Sequence, residues 1–432
     1  MVIVASAQEP DGYLYTARTM NPKHPHDWSG PERWSEVENL SHEFYNLGHM
    51  VEGAVAYYQA TGKRNFLDIA IRYADCVCKN IGEGPGQKRV IPGHQIAEMA
   101  LVRLYTVTGD KKYLDQAKFF LDARGTTARK DIYLQSHKPV LEQEEAVGHA
   151  VRAGYMYSGM ADVAALKNDT GYIAAIDRLW DDVVHRNMYI TGGIGSSRDN
   201  EGFTEDYDLP NLDAYCETCA SVGMVLWNQR MNQLTGDSKY IDVLERSLYN
   251  GALAGISLGG DRFFYVNPLE SKGDHHRQEW YGCACCPSQL SRFLPSIGNY
   301  IYASSDDALW VNLYIGNTGQ IRIGETDILL TQETDYPWDG SVKLTISTSQ
   351  PLEKEIRLRI PNWCKTYDLS INGKRINVSE EKGYAVIKDW KSQDVIALDM
   401  DMPVEIVAAD PHVKENFGKR AIQRGPLVYC ME

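Results

Sequence analysis

Up to about residue 303, apolar side chains recur at helical spacing in paired segments; from about Asp306 onward they alternate at period two. In the first region a Thr-Gly dipeptide separates the segments of each pair. Thr61-Gly62 leads into Phe66, Leu67, Ile69, Ala70 and Tyr73, and Thr108-Gly109 into Tyr113, Leu114, Ala117 and Phe120. Thr170-Gly171 leads into Tyr172, Ile173, Ile176 and Leu179, and Thr235-Gly236 into Tyr240, Ile241, Leu244 and Leu248. Each glycine marks a helix end, where a left-handed residue is favoured. The segments ahead of the dipeptides, 50–59, 96–107, 150–165 and 218–234, carry Ala, Gly and Met on several faces, as helices buried all round do. The unit of buried helix, turn and outer helix recurs roughly every 45–65 residues, in the range of helical arrays. Such hairpins close into a ring, an α/α barrel, or stack as an open solenoid.

Beyond the boundary, segments 309–315, 342–346, 356–360, 367–371 and 395–400 read as short strands, with Asn372-Gly373 as a hairpin turn. The expected fold is therefore α+β and multidomain: a helical ring over 1–303, followed by an antiparallel β-sandwich over 304–432. Both ends read as cut. The segment 8–14 resembles an interior loop, and the last residues stop inside a strand-like run. The ring and the β domain are thus both expected to be incomplete.

Composition narrows the function. The 432 residues hold 44 Lys plus Arg against 58 Asp plus Glu, a net charge of −14 without a basic run, which argues against nucleic acid or an anionic membrane as partner. No apolar stretch is long enough to span a bilayer, and the first residues lack a basic region ahead of an apolar core. Nine cysteines, two of them adjacent, suit a reducing cytoplasmic setting better than a disulfide scaffold.

Candidate chemistry collects where the buried helices begin. Gly48-His49, Gly93-His94 and Gly148-His149 stand there in three repeats and Glu217 in a fourth. In a ring these starts meet at one mouth, where helix N–H groups favour polar ligands; the plainer alternative is that each imidazole is satisfied locally. Cys216-Glu-Thr-Cys219 opens one buried helix and Cys283-Ala-Cys-Cys-Pro287 the next helical segment. Two such clusters can supply four ligands to one tetrahedral ion, and thiolates select zinc over magnesium or calcium; the alternative is buried cysteines acting as small hydrophobes. Glu201 lies on a long Gly-rich loop just ahead of the Cys216 cluster, either as a proton donor over the site or as solvated loop charge. Aromatics, among them Trp28, Trp34, Phe203, Tyr207, Tyr265 and Trp280, crowd the same loops.

Together, Gly48-His49, Pro92-Gly-His94, Gly148-His-Ala-Val-Arg152, Thr191-Gly-Gly-Ile-Gly195, Glu201-Gly-Phe203, Tyr215-Cys-Glu-Thr-Cys-Ala220, Phe264-Tyr-Val-Asn-Pro-Leu269 and Cys283-Ala-Cys-Cys-Pro287 resemble glycoside hydrolase family 127, the β-L-arabinofuranosidases. The resemblance runs from about residue 8 to residue 430. It implies an (α/α)6 barrel followed by β-sandwich domains, and a retaining hydrolase whose nucleophile is a zinc-bound cysteine. Position by position it implies Zn2+ ligands Glu217, Cys219, Cys285 and Cys286, nucleophile Cys285, acid/base Glu201, and sugar contacts at His49, His94, His149 and Tyr265. The implied substrate is a terminal β-L-arabinofuranoside of a plant-derived oligosaccharide, and a homo-oligomer stays open. Two other readings stand beside it: an α/α-barrel sugar isomerase or epimerase, and a non-catalytic zinc-containing carbohydrate-binding protein.

Overall fold

The computed structural model describes residues 1–348 and 354–431. The chain divides into two compact units, Met1–Asn187 with Ser197–Thr204, and Met188–Ser196 with Glu205–Glu432.

The first unit is helical. After α1 (Val2–Ala7) and α2 (Thr16–Thr19) come three hairpins: α3 (Glu43–Thr61) with α4 (Leu67–Asn80), α5 (Ala97–Thr108) with α6 (Lys111–Ala123), and α7 (Ala150–Lys167) with α8 (Thr170–Arg186). The first helix of each hairpin packs on the first of the next, α3 on α5 and α5 on α7. In α7 every residue from Ala150 to Ala161 is buried. The second helices bury one face; in α4 that face is Leu67, Ile69, Ala70, Tyr73, Ala74 and Val77.

Two expectations need correction. Gly62 and Gly109 do end helices in the left-handed region, with φ of 69° and 72°, but Gly171 does not. Asn168 takes that role at φ 52°, and Asp169 caps α8 by accepting from the Gly171 and Tyr172 amides at 3.1 and 3.2 Å. Asn tolerates the left-handed region and Asp is a strong N-cap, so this pair moves the boundary ahead of the Thr-Gly. Secondly, His49 does not stand at a helix start. The Glu43 carboxylate accepts from the Tyr13 and Ser41 hydroxyls at 2.5 and 2.8 Å, anchoring the first turn of α3 well ahead of Gly48.

The second unit opens its helices with α9 (Thr218–Thr235) and α10 (Lys239–Ser247), continues through α11 (Cys285–Phe293) and α12 (Gly298–Ile301), and then turns to sheet. Gly236, at φ 67°, ends α9 as expected. The strands are β1 (Tyr302–Ser304), β2 (Ala308–Val311), β3 (Asn317–Ile323), β4 (Thr326–Thr334), β5 (Ser341–Thr348), β6 (Glu355–Arg359) and β7 (Tyr367–Ile371). They continue with β8 (Lys374–Arg375), β9 (Ser379–Glu381), β10 (Tyr384–Ile387), β11 (Val395–Met400), β12 (Val404–Val407), β13 (Ala421–Arg424) and β14 (Leu427–Tyr429). Two sheets, β1-β2-β6-β10-β9 and β3-β4-β5-β11-β7-β8, share one core of Leu309, Val311, Ile356 and Leu358 with Leu330, Leu344, Ile396 and Leu398. Pairing is antiparallel except between β2 and β6, which run parallel. A third sheet, β12-β13-β14, follows. No helix among the described residues is long and apolar enough to cross a membrane.

Candidate functional site

In the first unit the three Gly-His histidines and Tyr45, on α3, form a chain of neighbouring rings. The Tyr45 ring centroid lies 4.4 Å from that of His49 and 4.4 Å from that of His94. His94 stands 5.7 Å from His149 and 6.2 Å from His42. Burial, reinforced by the nearby Arg152 charge, holds the His94 imidazole well below its ordinary pKa, so it is neutral. Arg152, buried on α7, donates to the Gly93 carbonyl and sets its guanidinium 4.7 Å over the Tyr133 ring, fixing the backbone just before His94. Tyr45 and His42 were not anticipated. The spacing of Tyr45 and His49, four apart on one helical face, was the available signal.

Glu201 reaches this cluster through a contact between two glycine-bearing backbones. Gly148 sits at φ 69°, and a Cβ on Gly202 would stand 1.7 Å from the Gly148 carbonyl oxygen. The bare approach lets Phe203 N donate to Gly148 O at 2.9 Å and Ala150 N to Glu201 O at 3.1 Å. Glu201 itself occupies φ 51°, a sparsely populated region for a residue with a side chain. Its Oε2 lies 3.2 Å from His149 Nε2.

The second unit builds its own cluster from the starts of α9 and α11. Cys216, at φ 40°, donates from its amide to Gly195 O at 2.8 Å, which turns the chain so that Glu217 becomes the N-cap residue of α9. Asn267 clamps that turn, donating to Cys216 O at 2.8 Å and Thr218 Oγ1 at 3.0 Å. Cys285 is the first residue of α11. Ligand atoms of Glu217, Cys219, Cys285 and Cys286 all lie within 4.8 Å of one another. Cys219 Sγ is 3.4 Å from Cys286 Sγ, Cys286 Sγ is 3.8 Å from Cys285 Sγ, and Glu217 Oε1 is 3.4 Å from Cys285 Sγ and 3.5 Å from Cys286 Sγ. Thiolate and carboxylate ligands on a tetrahedral ion at about 2.1–2.3 Å sit roughly 3.6–3.8 Å apart, so this donor set fits a cation with shifts of a few tenths of an ångström.

Electrostatics within the cluster single out one sulfur. Hydrogen bonds from the Cys219 and then the Cys286 thiol drive the Cys285 pKa down to about 2 against the opposing effect of burial, while burial pushes the Cys219 and Cys286 thiols up. The Tyr265 hydroxyl oxygen lies 3.0 Å from Cys285 Sγ, within hydrogen-bond distance. Thr218 N donates to the Tyr265 carbonyl at 2.9 Å, tying that tyrosine to the start of α9. A thiolate at a helix start is a nucleophile as well as a ligand.

Three family models match the chain: the GH127 catalytic domain of β-L-arabinofuranosidase over residues 1–299, the GH127 middle domain over 308–402, and the glycoside hydrolase family 127 C-terminal domain over 404–432. A non-reducing end β-L-arabinofuranosidase of Bifidobacterium longum subsp. longum is 39% identical over 470 residues, covering 100% of this chain and 70% of that protein. Among solved structures, a GH127 β-arabinofuranosidase aligns with a TM-score of 0.96 at 58% identity, over 99% of this chain and 70% of the other. A GH127 β-L-arabinofuranosidase from Geobacillus stearothermophilus T6 aligns with a TM-score of 0.93 at 44% identity, over 99% and 71%.

Proposed function

The chain belongs to glycoside hydrolase family 127, and from that premise we propose that it releases L-arabinose from terminal β-L-arabinofuranosides of plant-derived oligosaccharides with retention, using Cys285 as nucleophile and Glu201 as acid/base. The observation that carries the reading is the four-ligand cluster with Cys285 at the start of α11. The likeness to the Bifidobacterium non-reducing end β-L-arabinofuranosidase supports the sugar assigned.

In the first step Cys285 Sγ attacks the anomeric carbon, the bond to the glycosidic oxygen breaks, and Glu201 gives that oxygen its proton. In the second, Glu201 takes a proton from water, the water oxygen attacks the same carbon, and the carbon–sulfur bond breaks. Two inversions leave the configuration retained. Glu217, Cys219, Cys285 and Cys286 would hold zinc, which when bound supplies positive charge that keeps the thiolate ionised and makes the sulfur a better leaving group. Tyr265 stands beside the sulfur through its hydroxyl, and His49 and His94 supply ring nitrogens for sugar hydroxyls. All nine cysteines are free, which suits the reduced cytoplasmic setting this chemistry asks for.

The test is an aryl β-L-arabinofuranoside alongside aryl glycosides of other sugars, with metal content measured on the same preparation. Turnover of the arabinofuranoside by zinc-loaded protein is expected, with inactivation by iodoacetamide at Cys285. Turnover of a different sugar only would overturn the substrate; a metal-replete protein whose Cys285 resists alkylation and turns over nothing would mark a closed structural site.

A further inference from the structure

His149 does two things at once. As the N-cap residue of α7 it accepts, on Nδ1, the backbone N–H groups of Val151 at 3.2 Å and Arg152 at 3.4 Å. A backbone N–H can only donate, so Nδ1 is the ring nitrogen without hydrogen, and the neutral imidazole carries its hydrogen on Nε2. Nε2 is the atom 3.2 Å from Glu201 Oε2. The contact therefore has a direction: imidazole donates, carboxyl oxygen accepts.

From this we infer that His149 is a positioning residue for Glu201, with helix α7 fixing its tautomer and the tautomer fixing which oxygen of Glu201 carries the catalytic proton. The inference rests on the reading of Glu201 as the acid/base. An oxygen that faces an N–H donor is a poor place for a second hydrogen, so protonated Glu201 holds its proton on Oε1. The backbone already pins Glu201 at both sides, through the Ala150 N to Glu201 O bond and the pairing of His149 with Gly202. The imidazole bears directly on the carboxyl group and restrains its rotation. His149 thereby differs from His94, whose Nδ1 lies 2.9 Å from the Gln95 carbonyl and takes no part in a helix cap.

His149→Asn separates the two duties. Asn is a strong N-cap, so the start of α7 keeps its partner, but the shorter side chain loses the hydrogen bond to Glu201. On a disaccharide with a poor leaving group, kcat should fall roughly ten- to a hundredfold with KM within about twofold. On an aryl arabinofuranoside with an acidic leaving group, which needs little protonation, the fall should be severalfold smaller. In a Glu201→Gln background the same substitution should cost almost nothing further, because the group it positions is gone. A KM increase of equal size on both substrates, additive with Glu201→Gln, would mean that His149 only binds sugar and would sink the inference. Should Glu201→Gln itself show no leaving-group dependence, the acid/base reading falls first, visibly apart from the His149 result. The wild-type protein gives a further check that does not depend on any variant folding: 15N-histidine spectra should show His149 as the Nε2–H tautomer, and an Nδ1–H tautomer overturns the inference.

Discussion

Glu201 and Glu217 are both acids beside reactive groups, yet their surroundings assign them different work. Glu201 is half-buried on a loop and bonded to an imidazole; Glu217 is 2% exposed and faces sulfur. Glu201→Gln should keep its zinc and lose roughly 10²–10⁴ in rate on a poor leaving group, with most of the loss recovered on an acidic one. Glu217→Gln removes a negative ligand and should lose zinc, or activity whatever the leaving group. Metal content and rates on the two substrates, measured for both variants, decide it; zinc loss in the Glu201 variant would reverse the assignment. Gly202→Ala should mimic the loss of Glu201 although it removes no chemistry. Its methyl would meet a backbone carbonyl, so the loop has to lift away from α7, at a stability cost of about 1–3 kcal/mol. Gly298→Ala, with open space around its Cβ and no left-handed backbone, is the control, and thermal unfolding with activity distinguishes the two. At this scale the Gly-His and Cys-Cys-Pro pairs were legible because their residue types are unusual. Tyr45 and Asn267 were not, since a tyrosine on a helix face and an asparagine before a proline look the same whether they pack or position.

Between elements, the segment that presents His94 is held by a buried cation. Arg124, at the end of α6, is fully buried and donates to Pro92 O at 2.7 Å, Leu134 O at 2.8 Å and the buried Glu98 of α5 at 3.3 Å. Arg124→Met keeps the volume but strands the Glu98 charge and two carbonyls, and should cost about 3–5 kcal/mol in denaturant unfolding. Arg124→Met with Glu98→Gln should recover part of that loss, because the stranded charge is then gone. The elements themselves were largely readable. The strands expected over 367–371 and 395–400 match β7 and β11, and Asn372-Gly373 does turn the chain, at φ 50° and 77°. The parallel pairing of β2 with β6 was not readable, since alternation reports which face is buried and says nothing of a neighbour's direction. Strands β3 and β4 were passed over because their outward positions, such as Thr318, Gln320, Asp327 and Glu333, dilute the apolar signal. The displaced helix boundary at Gly171 has a plain cause: the Asp169 side-chain cap outranks glycine placement.

For the molecule as a whole, the cation should be as much a fold component as a reagent. The groups that would hold it come from two helix starts joined by the loop that carries Tyr265, and three of the four are buried. Chelation should therefore lower the unfolding temperature and abolish turnover together, and zinc should restore both; at a free concentration 100 times its dissociation constant, the ion contributes about 2.7 kcal/mol. A chelated protein that stays inactive but unfolds at the original temperature would confine the ion to chemistry. That the match covers the full length of the chain also explains why the hydrolase reading prevailed over an isomerase: helical hairpins alone suit both, whereas the cysteine cluster and the sheets that follow fit only one.

The spacing of those ligands along the chain carries a consequence for biosynthesis. Glu217 leaves the ribosome 69 residues before Cys286, a lag of roughly 3–14 s at ~5–20 residues per second. Throughout that interval the nascent chain displays half a cluster, with one buried-to-be thiol at Cys219 and no partner sulfur from α11. Capture of a metal by all four groups would thus have to wait for Cys286, and whatever supplied the ion would meet a polypeptide whose helical first unit has already been made.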